Sequence, residues 1–161
     1  MKFLHCADLH LDAPTESRLP PEKARERRNE LLSAFSRMVA AATCKGVRAI
    51  IVAGDLFDRS NITKRTKKFV TEAISHHSDI DFLILVGNHD VNVFSDNDSL
   101  PQNMILLSSD TDARTYGNVT VSAYSDKRIY DPDKINIAVL HGSDKVDFDL
   151  SRMSGKNIDY L

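Results

Sequence analysis

The chain has 161 residues, 42% of them hydrophobic and 27% charged, with a formal net charge of −2. These values are ordinary for one globular domain with a substantial core. No apolar run reaches the roughly 20 residues of a membrane span, and the N-terminus becomes polar too early for a secretory signal. The two cysteines lack metal or redox spacing, so we expect a reduced, cytoplasmic protein without membrane association. The near-neutral charge excludes a global nucleic-acid signature, so any DNA contact must be local.

The first hundred residues alternate between strand and helix signals. Residues 2–7 (KFLHCA), 47–53 (VRAIIVA) and 81–86 (DFLILV) are predicted strands, because each is a short, mainly apolar run. Helical spacing of apolar residues predicts helices over 21–45 and 63–77. Continuous apolar strands that alternate with helices indicate a parallel sheet covered on both faces.

Beyond residue 100 the helical period is absent. Residues 104–107 (MILL), 117–124 (GNVTVSAY) and 134–141 (KINIAVLH) are predicted as further strands, which form a second sheet packed on the first. The expected fold class is therefore α/β, with two packed β-sheets flanked by helices. No linker divides the chain, so we expect residues 1–161 to form one domain.

Four of the predicted strands end in polar clusters. The side chains of interest in these clusters are carboxylates, imidazoles and one amide: Asp8, His10, Asp55, Asp58, Asn88, His89 and His141. Open α/β sheets bind ligands beyond the carboxyl ends of their strands, so four such strands side by side would direct these groups into one small volume. Oxygen and imidazole ligands without a thiolate suit zinc, manganese or iron. The sequence therefore predicts a metal site.

The local spacing is also suited to metal binding. In an extended D-x-H segment, Asp8 and His10 would point to the same side and could hold one ion. A glycine precedes both Asp55 and Asn88, and it would let the backbone turn sharply at each strand end. Taken alone, the D-x-H segment is more typical of a loop with a capping aspartate. The four motifs together favour the metal site.

In this order, D-x-H, G-D-x-x-D, G-N-H-D and H-G resemble the motifs of the calcineurin-like metallophosphoesterases. The segments FLHCADLHLD and AGDLFDRSN are most similar to the SbcD-type DNA repair exonuclease branch. The resemblance extends from Phe3 to Leu161 and implies a four-layer αββα sandwich. It also implies a phosphodiesterase, with a DNA exonuclease as the preferred activity. Such an enzyme uses hydroxide that is activated by two divalent ions. By resemblance these are manganese, with iron or zinc as alternatives.

The resemblance implies specific roles at the metal ions. Asp8 and His10 would bind the first ion, Asp55 would bridge both, and Asn88 and His141 would bind the second.

Three further residues receive roles by resemblance. His89 would be the catalytic histidine, Asp58 would orient it, and Arg59 would contact the substrate phosphate. A simpler alternative for Asp58 is that it caps a helix that begins near Ser60.

One departure from the family pattern concerns the C-terminal part. The family closes its site with G-H-x-H, whereas this sequence ends in N-I-D-Y-L. We therefore expect an incomplete catalytic domain with weak or no activity and a sheet edge exposed near Tyr160. The segment that docks an SbcC-type ATPase is also absent, so such a partner is expected only for a full-length protein.

Two other functions fit the same residues. The chain could be a phosphatase or small-molecule phosphodiesterase, since the scaffold does not fix the substrate. It could also be a non-catalytic fragment that binds phosphate or a partner. The basic run Lys64, Arg65, Lys67 and Lys68 could contact DNA, but such runs are more typical of a solvated helix face.

Overall fold

The computed structural model describes residues 1–13, 20–58, 62–87, 93–94, 99–108, 111–142 and 150–161. The chain divides into two compact units, Met1–Ile105 and Leu106–Leu161. The elements in chain order are β1 (Phe3–Cys6), α1 (Pro21–Cys44), β2 (Ala49–Ala53), α2 (Lys64–Ser75), β3 (Asp81–Leu85), β4 (Met104–Leu107), β5 (Ala113–Tyr116), β6 (Val119–Ala123), β7 (Ile135–Val139) and a short 3₁₀ helix (Leu150–Met153). The boundary between the units falls within β4.

The first sheet has the strand order β1-β2-β3-β4. The assignment of residues 104–107 to the second sheet is therefore wrong, because β4 pairs with β3 at the edge of the first sheet. β2 runs parallel to both β1 and β3, with Ala49 opposite Phe3 on one side and Asp81 on the other. All five residues of β2 are buried, as expected for a central parallel strand with both faces covered. The predicted parallel sheet and the α/β class are therefore confirmed.

Both helices of the first unit bury one apolar stripe. In α1, Phe35, Val39 and Ala42 are buried at helical spacing. In α2, Val70 and Ile74 are buried in the same way. These residues anchor the helices, while their remaining faces carry charged side chains.

Each end of α2 has a side chain that satisfies its backbone. Thr63 is the N-cap, and its Oγ1 accepts a hydrogen bond from the Thr66 backbone N–H at 3.2 Å. At the other end, the buried amide of Asn103 donates to the carbonyls of Ile74, His77 and Ile80, at 2.9, 3.1 and 2.9 Å. These bonds fix α2 relative to the parallel sheet, because Asn103 directly precedes β4.

The second sheet has the order β5-β6-β7, antiparallel between β5 and β6 and parallel between β6 and β7. Asp159 and Tyr160 continue it beside β7, since the Ala138 N–H donates to the Tyr160 carbonyl at 2.9 Å. The strand that leads to His141 therefore lies in this sheet. The expectation that all four strands with polar ends lie side by side is wrong, and only β1, β2 and β3 are neighbours.

No helix in the described part of the chain is both long enough and apolar enough to cross a membrane.

Candidate metal centre

The segments that follow β1 and β2 continue to run side by side after both strands end. The His10 N–H donates to the Asp55 carbonyl and the Leu11 N–H to the Leu56 carbonyl, each at 3.0 Å. The Asp58 N–H then donates back to the carbonyl of Leu11 at 3.2 Å. This local pairing brings the D-x-H and G-D-x-x-D motifs together at the carboxyl edge of the parallel sheet, where ligands bind in open α/β folds.

The backbone at this edge has an unusual conformation. Asp8, His10, Asp12 and Asp55 have φ values of 52°, 42°, 67° and 48°, in the left-handed region. The expectation that D-x-H is extended is therefore wrong. Aspartate tolerates this region better than most residues, but four such positions still cost conformational energy. Strain of this kind concentrates where the positions of side chains matter for function.

His10 lies among three carboxylates. Its Nε2 is 3.9 Å from Oδ1 of Asp8 and 4.0 Å from Oδ2 of Asp55. Its Nδ1 is 3.1 Å from Oδ1 of Asp58. Carboxylate oxygens of Asp8 and Asp55 also lie within 4.8 Å of each other. The two predicted ligand residues that follow β1 and the predicted bridging residue that follows β2 thus converge.

Burial differs sharply among these carboxylates. The side chain of Asp55 is 7% exposed and that of Asp58 is 24% exposed, whereas that of Asp8 is 60% exposed. Two carboxylates at short range repel each other, and the repulsion is strongest where one is removed from water. A divalent cation would remove the repulsion, and two carboxylates with an imidazole are a suitable donor set for manganese, iron or zinc. The residues present therefore fit a metal ion.

Gly87 allows the end of β3 to approach Asp55. A Cβ added at Gly87 would overlap Oδ1 of Asp55 and would lie 2.5 Å from the Asp55 backbone nitrogen. The sequence suggested that this glycine permits a sharp turn. The structure shows that this glycine is needed for space, because an added Cβ would overlap Asp55, while its φ lies outside the left-handed region.

Sequence reasoning did not assign a role to Asp12. Its Oδ2 accepts a hydrogen bond from the Thr63 backbone N–H at 2.6 Å, which connects the loop after β1 to the N-cap of α2. The sequence contained a signal for Asp12, because it follows His10 at the same two-residue spacing at which His10 follows Asp8.

Cys6 lies two residues before Asp8, but its thiol does not resemble a metal ligand. Burial raises the pKa of Cys6 to about 11, and its Sγ donates a weak hydrogen bond to the Ile51 carbonyl at 3.6 Å. The thiol is therefore protonated at neutral pH, whereas metal binding needs the thiolate.

The remaining predicted site residues are placed differently. Asn88, His89 and Arg59 lie outside the described residues, so their roles stay predictions. His141 follows β7 in the second unit and is half-buried. The capping alternative for Asp58 concerns a helix that begins near Ser60, which lies outside the described residues. The next described helix begins at Lys64, with Thr63 as its N-cap.

The chain is similar to proteins of a known family. A family model described as calcineurin-like phosphoesterase matches residues 1–159. The uncharacterized metallophosphoesterase YhaO of Bacillus subtilis is 32% identical over 94 residues, which are 56% of this chain and 23% of that protein. The DNA double-strand break repair protein Mre11 of Aeropyrum pernix is 33% identical over 91 residues, 55% of this chain and 21% of that protein. The matched segments thus span less than a quarter of either relative. The chain belongs to the calcineurin-like phosphoesterase family.

Proposed function

We propose that this chain is a divalent-metal-dependent phosphodiesterase that acts on DNA as a nuclease. The observation that carries the proposal is the convergence of Asp8, His10 and Asp55 at the carboxyl edge of the parallel sheet. Membership of the phosphoesterase family supports the phosphoester bond as the bond that is broken. The similarity to Mre11, named as a DNA double-strand break repair protein, supports DNA as the substrate.

Each ligand contributes according to its place in the fold. We propose that Asp8 and His10 hold one ion, that Asp55 bridges to a second, and that Asn88 and His141 complete the second site. Asp55 suits the bridging role because it is the least exposed of the carboxylates around His10. When bound, two such ions lower the pKa of water and stabilise the charge on the attacking and leaving oxygens. Manganese is the proposed metal.

His89 and Arg59 would act on the substrate itself. We propose that His89 gives a proton to the leaving oxygen and that Arg59 contacts the phosphate. General acids and bases are typically worth a factor of 10² to 10⁴ in rate. Asp58 has been assigned to orient His89, but its 3.1 Å contact with Nδ1 of His10 also supports a role in holding that predicted ligand.

The test uses manganese and three substrates: linear DNA, bis-p-nitrophenyl phosphate and p-nitrophenyl phosphate. We expect slow hydrolysis of the two diesters, because the sequence predicts only weak activity for this chain. His89→Ala should lower the rate by about 10² to 10⁴ without changing the manganese content, since a proton donor is not a ligand. The matched control is His76→Ala, because His76 is the exposed C-cap of α2.

The alternatives give different results. Hydrolysis of the monoester alone would indicate a phosphatase, and hydrolysis of the small diester but not of DNA would indicate a small-molecule phosphodiesterase. No hydrolysis of any substrate by a manganese-loaded protein would indicate a binding module. Loss of manganese in His89→Ala would make His89 a ligand.

A further inference from the structure

A cleft lies between α1 and α2 in the first unit. It consists of two adjoining cavities of about 590 Å³ and 200 Å³, which share Asn29, Leu32 and Arg65 in their walls. The larger volume is within the range of ligand-binding pockets.

The walls of the cleft are regular helix faces. On α1, Arg25, Asn29, Ser33 and Arg37 recur every four residues along the cleft, and Arg28 and Leu32 also line it. On α2, Arg65 and Lys68 line the facing wall, three residues apart. The sequence expectation that the basic run on α2 is only a solvated face is incomplete, because these two cations face a concave surface that carries three arginines of α1.

The arginines of the cleft differ from the other cations of α1. Lys23 pairs with Glu26 at 2.6 Å, and Arg27 pairs with Glu30 at 2.8 Å. Among the described residues, by contrast, the side chains of Arg25, Arg28, Arg37 and Arg65 make no ion pair or hydrogen bond. The helix thus pairs Lys23 and Arg27 with its own carboxylates and leaves its arginines in the cleft without an ion pair.

The carboxylates in the cleft do not balance this charge. Glu72 lies 3.6 Å from Lys68, and Asp12 accepts the Thr63 N–H, so each already has a partner. The first turn of α2 has no acidic residue to match the positive end of its dipole and carries Lys64 and Arg65 instead. The cleft therefore carries five cations against two carboxylates, and its net charge is positive.

We propose that the α1–α2 cleft binds the phosphate backbone of a nucleic acid, outside the metal centre. Arginine guanidinium groups match phosphate oxygens in shape and charge. From Arg25 to Arg37, α1 rises about 18 Å, a length over which one DNA strand presents about five phosphates. The arginines of α1 are spread over this length and over both cavities, so an extended polyanion fits them better than a single phosphate does. The proposal rests on the proposed nuclease function in one respect, because the nucleic acid bound in the cleft is taken to be the substrate of the nuclease.

The experiment measures binding of a fluorescent 20-base-pair duplex by anisotropy, in EDTA, over a series of salt concentrations. The test variant is R37Q/R65Q. The control is K23Q/R27Q, which removes the same charge from paired cations of α1 outside the cleft. We expect the test variant to bind about tenfold more weakly at ~0.1 M salt and to lower the slope of log K against log salt by about two. The control should stay close to the parent.

Each outcome is informative. Equal losses in the two variants, or a parent that does not bind the duplex, would overturn the proposal. Equally tight binding of a polyglutamate peptide, with the same dependence on Arg37 and Arg65, would assign the cleft to an acidic protein segment instead. Hydrolysis of bis-p-nitrophenyl phosphate with manganese is measured in parallel and should not change in R37Q/R65Q. Failure of that hydrolysis in the parent would count against the proposed function and not against the cleft.

Discussion

The carboxyl edge of the parallel sheet and the α1–α2 cleft are built in opposite ways. At the sheet edge, carboxylates surround one imidazole on a backbone that is left-handed at four non-glycine positions. In the cleft, the lining arginines belong to two regular helices and have no ion-pair partner among the described residues. The charge of each region is unbalanced, negative at the sheet edge and positive in the cleft, so the first suits a cation and the second a polyanion. The sheet edge depends on precise backbone positions, whereas the cleft depends on the spacing of charges.

The sheet edge should therefore be more sensitive than the cleft to small changes in backbone packing. Gly87→Ala tests this expectation and has the largest expected effect. The added methyl group would meet the backbone of Asp55, which cannot move aside as a flexible side chain can. We expect a loss of about 1–3 kcal/mol in the free energy of unfolding, as for an overpacked core site, together with loss of manganese binding. Denaturant unfolding and calorimetry measure the two effects.

Gly142→Ala is the matched control. Gly142 also adjoins a predicted ligand, His141, but an added Cβ there would have open space. We expect parental stability and metal binding in this variant. Duplex binding in EDTA should be unchanged in Gly87→Ala at temperatures where it is folded. Normal manganese binding by Gly87→Ala would show that the close approach to Asp55 is not needed.

A smaller effect is expected from Asp58→Asn, which keeps the shape of the side chain and removes its charge. If Asp58 holds His10 through Nδ1, the affinity for manganese should fall about 10- to 100-fold, as for other groups that orient a metal-binding histidine. If Asp58 acts only on His89, the affinity should stay parental while the rate of hydrolysis falls. Calorimetry and the diester assay, measured on the same preparation, distinguish the two roles.

The sequence predicted the regular elements of the first unit closely, because their apolar periods are strong. The helix expected over 21–45 is observed as Pro21–Cys44, and the strand MILL is observed at Met104–Leu107. β5 was missed, since three of its four residues are exposed and carry no apolar alternation. The 3₁₀ helix at Leu150–Met153 was missed for a similar reason, because it spans only one turn.

For the site, the sequence identified residue types but not their backbone geometry. It predicted that Asp8, His10 and Asp55 would converge, because strand ends of a parallel sheet share one edge. It could not predict the left-handed conformation of Asp8 and His10, which depends on pairing with the loop after β2. The cleft was missed as well, because a basic run on one helix does not show which face of another helix it meets.

Manganese binding by the parent and by Asp55→Asn tests most directly the central claim, that the sheet edge is a divalent metal site. The control is Asp79→Asn, which removes the same charge from an exposed residue in the turn before β3. We predict manganese uptake by the parent and by Asp79→Asn, and loss of most of that uptake in Asp55→Asn, because Asp55 is proposed to contact both ions. Equal uptake by all three proteins, or no uptake by the parent, would contradict the account.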